Sequence, residues 1–203
     1  MRAKIIFMVV LLSVISSYAQ SQNDMIQKST KWRAFSEIDI PIAIFTGGLA
    51  ANLGACYENY RISAGYSHFD APSKNYSGVP DGFKLRVDYI FALNLDYFFS
   101  KSKTDKGFYT RLMYHNKRQY VENKSTKDSK ILYSQLVGLE IGYVWKLYHG
   151  LFIAPRMGAL YYFKSPQGNE NKPILIGDAY YNNERHKVWD TYFIPTLSVG
   201  YSF

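Results

Sequence analysis

The side chains with chemistry in them recur at every second position. Glu37, Asp39, Asn52, Arg61, Lys84, Arg86, Asp88, Asp96, Arg111, Glu140 and Arg156 alternate with mostly apolar or small neighbours, so extended backbone collects them on one face. Acids and bases enclosed together must pair, because an isolated charge taken out of water is costly. The expectation is an ion-pair network of Glu37, Asp39, Arg61, Arg86, Asp88, Asp96, Arg111, Glu140 and Arg156, with Glu140 and Arg156 paired from adjacent strands. Such a network makes a structural plug or, if it fails to close, a narrow ion path.

Two other groups compete with that reading. His68, His115 and His186, with Asp70, Glu184 and Asp190 near in sequence, have the residue types of a base and its orienting acid. No nucleophile motif accompanies them, and His68 has the parity of an outward residue, so hydrated rim histidines are the simpler reading. Lys117, Arg118, Lys124, Lys127 and Lys130 outnumber Glu122 and Asp128 in a charged stretch that either meets solvent or attracts phosphate. No catalytic residue, metal site or cofactor is expected. The single cysteine, Cys56, forms no internal disulfide. Its Leu53–Cys56 context is too far from the N-terminus for lipoprotein processing, and it reads as a small inward residue.

The elements that must position these groups are strands. Trp32 to Phe45 reads as the first, with Ile38, Ile40, Ile42 and Ile44 on one face, Glu37 and Asp39 on the other, and a bulge at Pro41. Gly47 and Gly48 turn into Leu49 to Tyr57, and Glu58 and Asn59 turn into Tyr60 to Phe69. Phe83 to Phe99 is the clearest, with Phe83, Leu85, Val87, Tyr89, Phe91, Leu93, Leu95, Tyr97 and Phe99 at every odd position, which no helical period could align. Its length exceeds an apolar band about 25 Å tall, so it should project beyond a membrane. Phe108 to Tyr120, Lys130 to Tyr148, Leu151 to Lys164 and Trp189 to Phe203 complete the set, separated by a loop from Val121 to Ser129, a turn at His149 and Gly150, and a loop from Ser165 to Lys187.

Nearly every strand has the same greasy face, and no amphipathic helix offers to cover it. Lipid is the remaining solvent, with the small and polar faces closed on themselves. The expected fold is all-β, an eight-stranded antiparallel up-and-down transmembrane β-barrel. The rival is a soluble up-and-down barrel with the faces inverted. Against it stand the Ser, Gly and charged composition of one face and the aromatics near strand ends. In 203 residues there are 19 Tyr and 13 Phe, a tyrosine excess that suits wet interfaces.

Residues 1–19 have the pattern of a signal peptide: Arg2 and Lys4, an apolar run from Ile5 to Ile15, then Ser17 and Ala19 at small cleavage positions. The run is too short to span about 30 Å of hydrocarbon. Residues 20–31 read as a flexible periplasmic leader and 32–203 as the barrel. The net charge of +8 becomes +6 after cleavage, too dispersed for nucleic acid.

The signal, the hairpin-linked strands, the alternation of short turns with long loops and the final Leu197-Ser198-Val199-Gly200-Tyr201-Ser202-Phe203 resemble the small outer-membrane β-barrel superfamily of the OmpA, OmpX and OmpW types. That resemblance implies the outer membrane of a Gram-negative bacterium, periplasmic N- and C-termini, and an assembly signal at Leu197, Val199, Tyr201 and Phe203 read by the barrel assembly machinery. It also implies contact with outer-membrane lipid and lipopolysaccharide, and a monomer. No cell-wall-binding domain follows, so tethering to peptidoglycan is not implied. The expected role is structural or surface interaction around a plugged polar lumen, without enzymatic activity. A small-molecule or ion conduit of the OmpW kind, which needs an apolar lumen, and a lipid-modifying enzyme with rim histidines are the alternatives.

Overall fold

The computed structural model describes residues 32–70, 79–100, 105–164, 172–181 and 191–203; of residues 191–194 only the backbone is described. The expected signal peptide, the leader, Trp189, and the rim residues His186, Glu184 and Asp190 lie outside these ranges.

Eight strands close into an antiparallel barrel: β1 (Trp32–Asp39), β2 (Leu49–Tyr57), β3 (Tyr60–Asp70), β4 (Phe83–Phe98), β5 (Gly107–Asn123), β6 (Ser129–Lys146), β7 (Leu151–Lys164) and β10 (Thr191–Ser202). Consecutive strands pair as hairpins, and β10 meets β1 to complete the circle. A separate hairpin, β8 (Ile174–Ile176) and β9 (Ala179–Tyr181), folds within the segment expected to be a structureless loop. Strand β5 also runs on to Asn123, because Val121 is fully buried there rather than belonging to a solvated loop.

The first strand stops early. After Asp39 the chain turns into a short helix, α1 (Ile40–Thr46), instead of continuing extended to Phe45. The Asp39 side chain accepts from the Ile42 amide, Pro41 lies in the first turn where its missing N–H is no loss, and Gly47 closes the helix at φ 63°. Pro41 therefore starts a helix rather than making a bulge.

The second departure is in β4. A bulge between Val87 and Tyr89 adds one residue against β5 and inverts the faces on either side. Beyond it Phe91, Leu93, Leu95 and Tyr97 point outward as expected, but Phe83, Leu85 and Val87 point inward and are buried. Lys84 and Arg86 correspondingly turn outward.

The outer surface identifies the solvent. Leu53, Ile62, Leu93, Leu112, Leu139, Ile141 and Met157 are exposed around the middle of the barrel. Toward the short-turn end lies a girdle of contacting rings: Trp32 with Tyr57, Tyr60 with Tyr97, Tyr97 with Phe99, Phe108 with Tyr143, Tyr143 with Trp145, and Tyr201 with Phe203. A second girdle toward the loops contains Tyr66 with Phe91, Tyr89 with Phe91, and Tyr114 with Phe163. Between Tyr89 and Phe99 the strand rises about 25 Å at a tilt of about 40°, the height of the hydrocarbon-facing band of a membrane barrel. An aliphatic belt between two aromatic girdles is the surface of a protein that spans a bilayer.

Candidate functional site: the charged lumen and its two covers

The inward faces meet across a space just wide enough for side chains. In the middle they form a ring to which every barrel strand contributes. Around the wall, cross-strand partners alternate in sign: Arg61 of β3 opposite Asp96 of β4, Asp96 opposite Arg111 of β5, and Arg111 opposite Glu140 of β6. Arg111 grips Asp96 with two nitrogens, Nε to Oδ1 at 2.6 Å and Nη2 to Oδ2 at 2.9 Å, and reaches Glu37 Oε1 of β1 at 3.1 Å. Arg61 donates to Asp96 Oδ2 at 3.1 Å and to Glu37 Oε2 at 3.4 Å.

On the far side Arg156 of β7 pairs with Glu140 at 3.0 Å, approaches Glu37 at 3.5 Å and Asp39 at 3.6 Å, and donates to Ser198 of β10 at 2.6 Å. Strand β2 enters through Asn52, which donates to Glu37 and accepts from Asn94. Arg61 and Arg111 are each 1% exposed, so these charges are held by one another rather than by water.

Glycines make room for the larger inward groups. A Cβ on Gly142 would stand 2.6 Å from the Tyr109 ring, and one on Gly158 would meet Glu140 Cγ at 2.5 Å.

Below the ring, at the short-turn end, Phe35, Cys56, Phe98, Tyr109, Val144, Phe152 and Ala154 form a dry floor. The Arg61 guanidinium lies 4.2 Å over the Phe35 ring, joining floor to ring. The floor is closed from beneath by Asp105, which pairs with Arg33 at 2.7 Å and Lys146 at 2.8 Å and accepts from Ser202. Burial alone would raise its pKa. The hydrogen bond from Lys146, then the charges of Lys146, Arg33 and Arg61, outweigh it and hold the Asp105 carboxyl below its usual range.

Above the ring come Met113, Leu136, Leu160 and Tyr162, with Lys117 donating to the Tyr162 hydroxyl at 3.0 Å. Higher still, Val79, Phe83, Leu85, Val121 and Leu132 bury Ile176 and Tyr181 of the β8–β9 hairpin. Asn123 ties that hairpin down through the Ile176 carbonyl at 2.9 Å and Asp178 at 2.8 Å.

Of the residues expected in the network, Glu37, Asp39, Arg61, Asp96, Arg111, Glu140 and Arg156 come together here. Arg86 and Asp88 do not, because the bulge sends them to the outside. There Arg86 pairs with Asp88 at 2.8 Å and lies over Tyr120, and Arg118 approaches Asp88 at 3.7 Å. Glu140 and Arg156 are paired as anticipated, although on β7 it is Gly158 that stands opposite Glu140.

His68 is exposed and its Nδ1 lies 2.8 Å from the Asp88 carbonyl oxygen, whereas His115 points inward opposite Ala92. Leu197, Val199 and Tyr201 lie along one face of β10, with Tyr201 packed on Phe203. Sequence reasoning missed Asp105, the one acid in a lysine-rich turn, and Asn123. Among the described residues no group of three or more His, Cys, Asp and Glu is placed to hold a metal.

No family model and no curated protein matches the chain. Among solved structures it is similar to Neisserial surface protein A, with 13% identity over 85% of this chain and 96% of that one and a TM-score of 0.41. It is also similar to a major outer membrane protein from Thermus thermophilus, with 15% identity over 85% and 99% of the two chains and a TM-score of 0.43.

Proposed function

We propose that the chain is a non-enzymatic, non-conducting barrel of the outer membrane of a Gram-negative bacterium, which stabilises the envelope and presents a folded rim to the outside. The observation that carries this reading is the ion-pair ring, to which all eight barrel strands contribute and which stands across the lumen. Among the described residues, a charge-filled section between a dry floor and a hydrophobic upper cluster favours neither a continuous aqueous path nor an apolar axial one.

Short connections at one end and long ones at the other support a periplasmic short-turn end carrying both termini. The outward Leu197, Val199, Tyr201 and Phe203 are then the segment that the assembly machinery reads, and the barrel works as a monomer in lipid. Arg118 stands level with Tyr89 of the upper aromatic girdle and Arg86 just beyond it, a level that suits contact with lipopolysaccharide phosphates. The exposed His68 lies against the Asp88 carbonyl oxygen, and a hydrated rim histidine is the reading this favours over lipid-modifying chemistry.

Recording the purified barrel in planar bilayers tests the reading: the expected trace stays at baseline, and reproducible ohmic steps would contradict it. Mass spectrometry of lipid A from a deletion strain is expected to show unchanged acylation.

A further inference from the structure

The barrel closes in its lower half, and among the described residues the ladder between its first and last strands stops partway up. Strand β10 pairs with β1 only from Ser198 to Ser202, while on its other side it stays paired with β7 up to Thr191. The backbone bonds of β10 alternate in direction. Phe203 donates to Ala34 on the β1 side and Ser202 to Gly150 on the β7 side, so odd-numbered residues face β1. Leu197, Pro195 and Phe193 therefore direct their main chain at a place where no strand stands among the described residues, because β1 has become α1. Pro195 is the residue whose missing N–H removes a donor from that bare edge.

What covers the edge is α1, which packs toward β10, β2 and β3 yet has no buried residue. Ile44 and Phe45 are 69% and 66% exposed. The helix is joined to the wall by the Asp39 cap, a 3.5 Å contact from the Ile42 amide, and it ends on Thr46, whose hydroxyl donates to the Ile42 carbonyl.

Inside the wall at this level the lumen is not fully packed. Ser67, Ile90, Ala92 and His115 all point inward, being cross-strand neighbours of one another or of the buried Gly65, yet each keeps partial exposure. Outside the wall the seam lies below Tyr161, which stands opposite Thr191 at the upper girdle, and beside the exposed Met157 opposite Pro195. What faces it there is therefore hydrocarbon.

We infer that the seam between β10 and β2, covered by α1, is a lateral port through which a single hydrocarbon chain of the outer leaflet enters the upper lumen and rests above the ion-pair ring. The inference rests on the membrane reading given above, and it needs no axial passage: the chain enters and leaves on the same side. Asp39 belongs both to the ring, through Arg156, and to the cap of α1, so the ring holds the cover in place.

The test uses the full barrel in lipid vesicles, with Ser67→Cys as the reporter of the chamber and Leu93→Cys as the reporter of the lipid face. Hexadecyl methanethiosulfonate partitions into the bilayer, whereas its sulfonatoethyl analogue stays in water; in both, the cysteine thiolate attacks the sulfenyl sulfur, taking the alkylthio group as a disulfide and releasing methanesulfinate. The unsubstituted chain, whose Cys56 is fully buried, is the blank. The alkyl reagent is expected to modify Ser67→Cys at least about tenfold faster than the charged one, which hydrocarbon excludes. Adding Asp39→Ala should speed that reaction further.

Faster modification of Ser67→Cys by the charged reagent, or no modification by either while Leu93→Cys reacts with the alkyl one, would overturn the port. If Leu93→Cys also escapes the alkyl reagent, it is the membrane reading that fails. Should Ser67→Cys lose the heat-modifiable gel shift of a closed barrel, Ala92→Cys reports the same chamber by the same criteria.

Discussion

The two sides of this barrel solve the problem of a greasy exterior differently. On the tall side β4, β5 and β6 run for 16, 17 and 18 residues, keep their ladders beyond the upper girdle, and fold a small hydrophobic core there with the β8–β9 hairpin. On the short side β1 and β2 have 8 and 9 residues, and a helix replaces the missing wall. A ladder satisfies every backbone group across the strand boundary, whereas a helix satisfies its own and leaves its neighbour's edge bare. The comparison teaches that closure comes from the ring and the lower half of the wall, which both sides share, and that the upper halves are free to differ.

The largest effect is expected from breaking what the sides share. Arg111→Ala leaves Asp96 and Glu37 buried with fewer partners and should cost about 3–5 kcal/mol, read as a lower urea midpoint for the folded band. Arg86→Ala, at the exposed outer pair, should cost less than about 1 kcal/mol in the same assay. Equal losses would dissolve the distinction between ring and rim.

Overpacking the lower half comes next. Gly142→Val drives a side chain into the Tyr109 ring and should cost about 1–3 kcal/mol in the same urea titration. Asn123→Ala sharpens the comparison by loosening one side only. Amide exchange in the β8–β9 hairpin should quicken by an amount corresponding to about 1–2 kcal/mol, with β1 and β10 unchanged. Uniform quickening would mean that the hairpin holds the whole barrel.

The smallest effect concerns the floor latch. The folded carboxyl of Asp105 is held below the usual 3.8, so its contribution is complete above that pH and fades as pH falls through the folded value. The wild type should outlast Asp105→Asn near neutrality, and the difference should shrink in acid below that range. A difference that grows in acid would have the wrong sign.

Alternation made most of the wall legible. Strands β2 and β7 have the bounds that their turn residues indicate, and seven of the nine residues expected to pair in the lumen meet there, because parity survives wherever the ladder is regular. Parity failed at Asp88, where a bulge shifts register without any glycine or proline to announce it, so Phe83 and Arg86 exchanged faces.

Helix α1 was hidden by isoleucines at 38, 40, 42 and 44, which satisfy a strand pattern. Seven residues are too few for a helical period to assert itself, although the cap at Asp39 and the proline two residues on were visible. The β8–β9 hairpin carried a readable signal in Gly177-Asp178 between short apolar runs, overlooked because each strand has only three residues. Asp105 could not be found by periodicity, since it enters the lumen from a turn.

The most direct test of the central claim, that the apolar faces meet lipid and the charged faces meet one another, is nuclear magnetic resonance of methyl-labelled barrel in bicelles. Cross-peaks from acyl-chain protons are expected at Leu93, Leu139 and Ile141 and absent at Val121, Val144 and Ala154. Lipid contacts at the second set with none at the first would contradict it.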